Sequence, residues 1–172
     1  MCGITGQINF SEKKNYIKEM TQELYSRGPD DFGYYFHQEK SFSLSFGHRR
    51  LEILDIENGK QPMSLENERY IIVYNGEIYN WKNLRKELME SGHTFLTKNS
   101  DTEVILVGYK HWGTKVSNYL NGMWAFCIFD KKKNIIFLSR DRFGEKPLYY
   151  NLNSNSFIFS SQINSILQNK NQ

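Results

Sequence analysis

Apolar and polar residues trade places along this chain in two rhythms, and the switches between them divide it into elements. Residues Ile4 to Phe10 alternate and are rich in β-formers, which predicts an opening strand. Between Asn15 and Arg27 the apolar positions Ile17, Met20 and Leu24 recur at helical spacing. The stretch from Arg27 through Gly28 and Pro29 to Gly33 then reads as a loop. Tyr34 to Gln38 and Ser41 to His48 form a strand pair, followed by a longer connection through Asn58-Gly59 and Pro62. Tyr70 to Tyr74 is an apolar strand that runs into Asn75-Gly76, where a turn is expected.

Helices come next. Asn80 can cap a helix from Trp81 to Ser91, with Leu84 and Leu88 inward and Gly92 as its stop. A second helix starts near Ser100 and carries Val104, Ile105 and Val107. Trp124 to Phe129 and Ile135 to Ser139 make a hairpin across Lys131-Lys132-Lys133. Tyr149 to Leu152 and Phe157 to Ser160 make another around Asn153-Ser154-Asn155. From Gln162 onward the pattern supports one short helix and a frayed tail. Hairpin-length turns favour antiparallel pairing, so the expected class is α+β and not a doubly wound sheet.

Composition narrows the class of function. The 172 residues, 39% hydrophobic and 15% aromatic, suit one packed domain. The 22 basic and 19 acidic residues are scattered, and the lysine run sits in a hairpin turn, so no nucleic-acid footprint is expected. No charged-then-apolar leader and no apolar stretch of spanning length is present, which predicts a cytoplasmic protein without a membrane partner. Cys2 and Cys127 have no metal-ligand spacing and form no disulfide framework. Cys127 sits in an apolar run and reads as an inert buried thiol. The four histidines share no spacing and read as structural or surface residues. No metal is expected.

Cys2 is the most informative position. Methionine is trimmed when the next side chain is small, and the chain would then begin with a thiol and a free α-amine on one residue. An α-amine with a pKa of roughly 7.7–8.0 is partly unprotonated near neutrality. It can act as base for a thiol of pKa ~8.5 beside it. Asn75-Gly76 reads either as a tight turn or as an oxyanion hole built from the Asn75 amide and the Gly76 N–H. Ser100 and Glu103 make a capping box. Asp101, then free of the cap, either complements the helix dipole or binds the α-ammonium of an amino acid. A guanidinium suits a substrate carboxylate, and alternation lets only one of Arg49 and Arg50 face a given pocket.

These motifs together resemble the N-terminal glutaminase domain of glutamine-hydrolysing asparagine synthetases, class II glutamine amidotransferases of the N-terminal-nucleophile (Ntn) hydrolase type. The matching segments are Met1 to Ile4, Arg27 to Asp31, His48 to Leu51, Gln61 to Met63, Tyr74 to Asn80 and Ser100 to Val104. Asn121 to Phe126, Arg140 to Gly144 and Lys146 to Tyr150 complete the set, so the likeness covers essentially residues 1–172. The resemblance implies a four-layer α/β/β/α sandwich of two antiparallel sheets. It implies Cys2 as nucleophile with its own amine as base, and Asn75 and Gly76 as oxyanion hole. Arg50 matches the binder of the glutamine α-carboxylate, and Leu51, Glu52, Ile53 and Leu54 match the segment lining the pocket. Glu77 and Asp101 match the residues that hold the α-amino group.

The implied function is hydrolysis of L-glutamine to glutamate and ammonia, with the ammonia supplied to an asparagine synthetase-type amidation. No cofactor is expected in this domain; ATP and Mg are expected only in a synthetase domain, which is expected to lie outside these 172 residues. The implied partner is that domain or a separate synthetase chain, and a homodimer is admitted. Glu145 stands where many relatives carry an apolar residue, which leaves the synthetase subtype open. The rival expectations are a glutaminase for polysaccharide or antibiotic biosynthesis and a non-catalytic regulatory module of the same fold.

Overall fold

A computed structural model describes residues 1–11, 14–51 and 59–170. The expected pocket-lining residues Glu52, Ile53 and Leu54 lie outside the described residues, as does Asn58. The strands are β1 (Gly3–Asn9), β2 (Asp31–Gln38), β3 (Ser43–Arg50), β4 (Met63–Leu65), β5 (Tyr70–Ile78), β6 (Gly122–Asp130), β7 (Ile135–Arg140), β8 (Tyr149–Leu152) and β9 (Ser156–Ser160). The α-helices are α1 (Ile17–Glu23), α2 (Trp81–Glu90), α3 (Asp101–Trp112) and α4 (Ile163–Leu167).

All pairings are antiparallel. One sheet runs β2-β3-β1-β9-β8 and the other β4-β5-β6-β7. The period of two along β5 explains how the sheets stack. Ile71 and Val73 point between the sheets, where they meet Ile4, Ile8, Leu44, Phe46 and Phe159. Ile72 and Tyr74 point the other way, into a second core with Leu84 and Leu88 of α2 and Val104 to Val107 of α3. A third cluster joins Met20 of α1 and Ile166 of α4 to Ile158 on the outer face of the first sheet. Helices thus cover both outer faces, and the four-layer α+β sandwich expected from the sequence is the observed architecture.

Four local expectations need correction. Asn75-Gly76 makes no turn: β5 continues to Ile78, pairing Asn75 with Ala125, Gly76 with Trp124 and Glu77 with Met123. A Cβ on Gly76 would lie 2.2 Å from the Met123 carbonyl oxygen, so glycine is needed for close strand approach and not for turning. Asn80 precedes α2 without a side-chain cap bond, because its amide is taken by the Tyr119 carbonyl at 2.9 Å and the Asn121 N–H at 2.9 Å. Ser100 caps α3 as expected, its hydroxyl accepting from Glu103 N–H at 3.3 Å. The Glu103 carboxylate, however, turns to the N–H groups of Leu96 and Thr97 at 2.6 and 2.8 Å instead of closing the box. Finally, β2 begins at Asp31, inside the expected loop, because Asp31 and Phe32 find partners in Arg50 and Arg49 of an extended β3.

Candidate active site

The ends of β1, β3 and β5 and the first turn of α3 converge on one cavity of about 210 Å³. Its lining includes Cys2, Arg50, Leu51, Asn75, Gly76, Glu77 and Asp101, so the described candidates from every part of the chain meet at one place. Gln61, Tyr74, Met123 and Lys146 also border it, and the sequence had assigned no role to these four.

Cys2 lies just before β1 and is half-buried. Its Sγ accepts from the Leu51 N–H at 3.4 Å and lies 3.7 Å from the Leu51 carbonyl oxygen, so the main chain following β3 holds the thiol. Arg27 Nε donates to the Cys2 carbonyl at 2.9 Å. Nothing in the local sequence marks Arg27 for this second clamp, although it opens the Arg27 to Asp31 segment. Burial lowers the Arg27 guanidinium from its ordinary value, opposed by the charges of Cys2 and Tyr149.

Asn75 is buried, and its Nδ2 has no hydrogen-bond partner among the described residues. A buried donor left unpaired costs about 1–3 kcal/mol, so an amide kept in that state is available to an incoming oxygen. The strand beneath it is fixed from two sides. Gln61 accepts from the Tyr74 N–H at 2.6 Å and donates to the Tyr74 carbonyl at 3.1 Å, in the manner of a neighbouring strand. His48 Nε2, from the other sheet, donates to the same carbonyl at 3.2 Å. Burial drives the His48 imidazole down to about 4, so it is neutral near pH 7.

Asp101 opens α3, and its Oδ2 accepts from the Tyr74 hydroxyl at 2.8 Å and the Ile78 N–H at 3.1 Å. Burial pushes the Asp101 carboxyl up, and these hydrogen bonds work in the opposite direction. Burial and the adjacent Asp101 push the Tyr74 phenol well above its usual value, keeping it a donor. An ammonium group beside Asp101 would offset the cost of burying the anion.

Arg50 is 4% exposed and borders the cavity. Arg49 faces the helical layer instead, where it bonds the Gln22 side chain and lies 5.2 and 5.0 Å from the Tyr25 and Phe32 rings. The cavity therefore carries a cation at the end of β3 and carboxylates from Glu77 and Asp101, the two charges needed to read both ends of a free amino acid. Glu145 is exposed and absent from the lining; its N–H donates to Asp141 at 2.9 Å. Among the described residues no cluster of three or more His, Cys, Asp or Glu is arranged to hold a metal, and no helix is long and apolar enough to cross a membrane.

A thiol at position 2, an unpaired buried amide, a guanidinium and two carboxylates thus meet in one cavity of a four-layer sandwich. The chain belongs to the glutamine amidotransferase domain family, whose model matches residues 1–172. It is 43% identical over 173 residues to asparagine synthetase [glutamine-hydrolyzing] 3 of Bacillus subtilis, covering 97% of this chain and 27% of that protein. It is 45% identical over 184 residues to a putative asparagine synthetase [glutamine-hydrolyzing] of Methanocaldococcus jannaschii, covering 97% of this chain and 35% of that protein. This chain thus spans between about a quarter and a third of the length of these relatives. The fold is shared with glutamine phosphoribosylpyrophosphate amidotransferase from B. subtilis, at a TM-score of 0.75 and 17% identity over 95% of this chain and 42% of that one.

Proposed function

We propose that this chain hydrolyses L-glutamine to glutamate and ammonia through a γ-glutamyl thioester on Cys2. The observation that carries the proposal is the meeting of Cys2 and the unpartnered Nδ2 of Asn75 in one cavity with Arg50 and Asp101. Removal of Met1 exposes the Cys2 amine. That amine takes the thiol proton while Sγ bonds to the side-chain carbonyl carbon, and the developing oxyanion accepts from Asn75 Nδ2 and the Gly76 N–H. Collapse breaks the carbon–nitrogen bond as the amine passes its proton to the leaving ammonia. Water then adds to the thioester with the amine again as base, the carbon–sulfur bond breaks, and glutamate and the thiol are restored.

Arg50 reads the α-carboxylate, and Glu77 and Asp101 read the α-ammonium, which selects a free amino acid over a peptide. The names of the relatives support an asparagine synthetase-type, ATP-dependent amidation as consumer of the ammonia. The synthetase would be another part of the same polypeptide or a separate chain, in a cytoplasm that keeps the thiol reduced. This domain's chemistry uses protein groups alone, with ATP and Mg belonging to the synthetase. The direct test is glutamine-dependent ammonia release by Cys2→Ala with correct N-terminal processing confirmed by intact mass. The expected result is complete loss; ammonia release at the wild-type rate would overturn the mechanism.

A further inference from the structure

Lys146 is the feature of the cavity that the proposed chemistry leaves unused. It lies on the loop between β7 and β8 and is 6% exposed, deep burial for a lysine. Its backbone is held firmly. The Lys146 N–H donates to Asp141 Oδ2 at 3.0 Å, and its carbonyl accepts from Arg140 Nε at 2.7 Å. The Asp141 carboxylate organises this loop by also accepting from Trp124, Phe143 and Glu145 N–H groups. Desolvation pushes the Asp141 carboxyl up, but these hydrogen bonds outweigh it and hold the group below its usual range. A rigid loop therefore delivers Lys146 to the cavity.

The Lys146 ammonium has a weak partner. Among the described residues Nζ finds one hydrogen-bond acceptor, the thioether sulfur of Met1 at 3.4 Å. An ammonium has three donors, and thioether sulfur is a poor acceptor. The same Met1 must leave for Cys2 to gain a free amine. Processing thus removes the described partner of Lys146 and creates a new titratable group, the Cys2 amine, in the cavity both residues border.

We propose that Lys146 is a positioning residue whose fixed positive charge keeps the freed amine of Cys2 neutral and able to accept a proton. This rests on the assignment of Cys2 as the nucleophile with its own amine as base. A nearby like charge disfavours protonation of an amine. The other groups facing the N-terminus are already engaged or differently directed. Arg27 is bonded to the Cys2 carbonyl, with Tyr149 near it. Asp101 is bonded to Tyr74 and Ile78, and Glu77 is exposed at the rim. Arg50 is assigned to the substrate carboxylate. A cation at the wall of this cavity also favours departure of the product as ammonia over ammonium, the form a downstream amidation needs as nucleophile.

The test uses Lys146→Met, which keeps the length and removes the charge, with Lys146→Arg as the conservative rescue, all processed proteins being verified by intact mass. The pH dependence of kcat/KM is measured for glutamine. The titration of the Cys2 amine is followed independently, by its pH-dependent acetylation with acetic anhydride read by mass spectrometry. Lys146→Met is expected to move the acidic limb and the amine titration upward together by about one pH unit. Activity near pH 6.5 then falls roughly tenfold while activity near pH 9 is retained, and Lys146→Arg restores the profile. Superimposable profiles and titrations, or a uniform loss at every pH, would overturn the role of Lys146. Unimpaired ammonia release by Cys2→Ala would instead overturn the nucleophile assignment beneath it.

Discussion

Asn75 shows how a single residue trades packing for chemistry. Its side-chain amide is buried against the end of β5, yet Nδ2 has no described partner. In a structural role this would be an uncompensated cost of about 1–3 kcal/mol. In the proposed reaction the donor is satisfied only when negative charge develops on the bound amide oxygen, so its stabilisation falls on the transition state. Asn75→Ala is therefore expected to lower kcat by about 10²–10³-fold with little change in KM. The same variant should melt no lower than the wild type, because the truncation removes an orphaned donor at the wall of an open cavity. Steady-state kinetics and thermal denaturation of one preparation check both halves. A large loss of stability would show that Asn75 is held for packing.

At the scale of elements, β3 and β5 carry most of the candidate site, and they differ in how far the sequence displayed them. Cys2 and Asp101 could be nominated as candidates from local chemistry, as an amino-terminal thiol and a carboxylate beside a capped helix start, whereas only the family resemblance chose Arg50 over Arg49. The extension of β5 through Asn75 and Gly76 could not, because Asn-Gly is a local turn signal and the pairing with Ala125 and Trp124 that overrides it is made nearly fifty residues away. Gln61 and His48 escaped for the same reason, since their meaning lies in the Tyr74 carbonyl that both contact. His48 adds a testable link between the two sheets. Its folded value of about 4 lies below the ordinary 6.5, so the unfolded chain binds the extra proton between these limits. Its contribution is therefore intact above pH 6.5 and is lost as pH falls toward 4, by about 3 kcal/mol in all. Urea unfolding from pH 7.5 to 4 should show this decline, and His48→Gln should flatten it by that amount while keeping a donor for Tyr74.

The whole molecule brings the site together across the gap between its two sheets. Cys2 and Arg50 belong to the ends of β1 and β3, whereas Asn75, Gly76 and Glu77 belong to β5 of the other sheet. The distance from the Cys2 thiol to the Asn75 amide is thus set by how the inner faces pack, around Phe46, Phe159, Val73 and Phe129. Phe46 sits on β3 four residues before Arg50 and packs edge-on against Phe159, with ring centroids 5.8 Å apart. Leu88 is equally buried but belongs to the outer core under α2 and α3. Phe46→Ala and Leu88→Ala should both destabilise, by about 3–5 and 2–5 kcal/mol respectively. Their effects on activity should separate. Letting the sheets settle toward each other misplaces Cys2 relative to Asn75, and an error of about 1 Å in such geometry can cost up to about a hundredfold in rate. Loosening the outer helical layer leaves both groups on their own sheets. Measured well below the melting transition, kcat/KM for glutamine should therefore fall by about ten- to a hundredfold in Phe46→Ala and by less than about twofold in Leu88→Ala. Equal losses in the two variants at matched residual stability would mean that global stability, and not the register between the sheets, sets the geometry of the site.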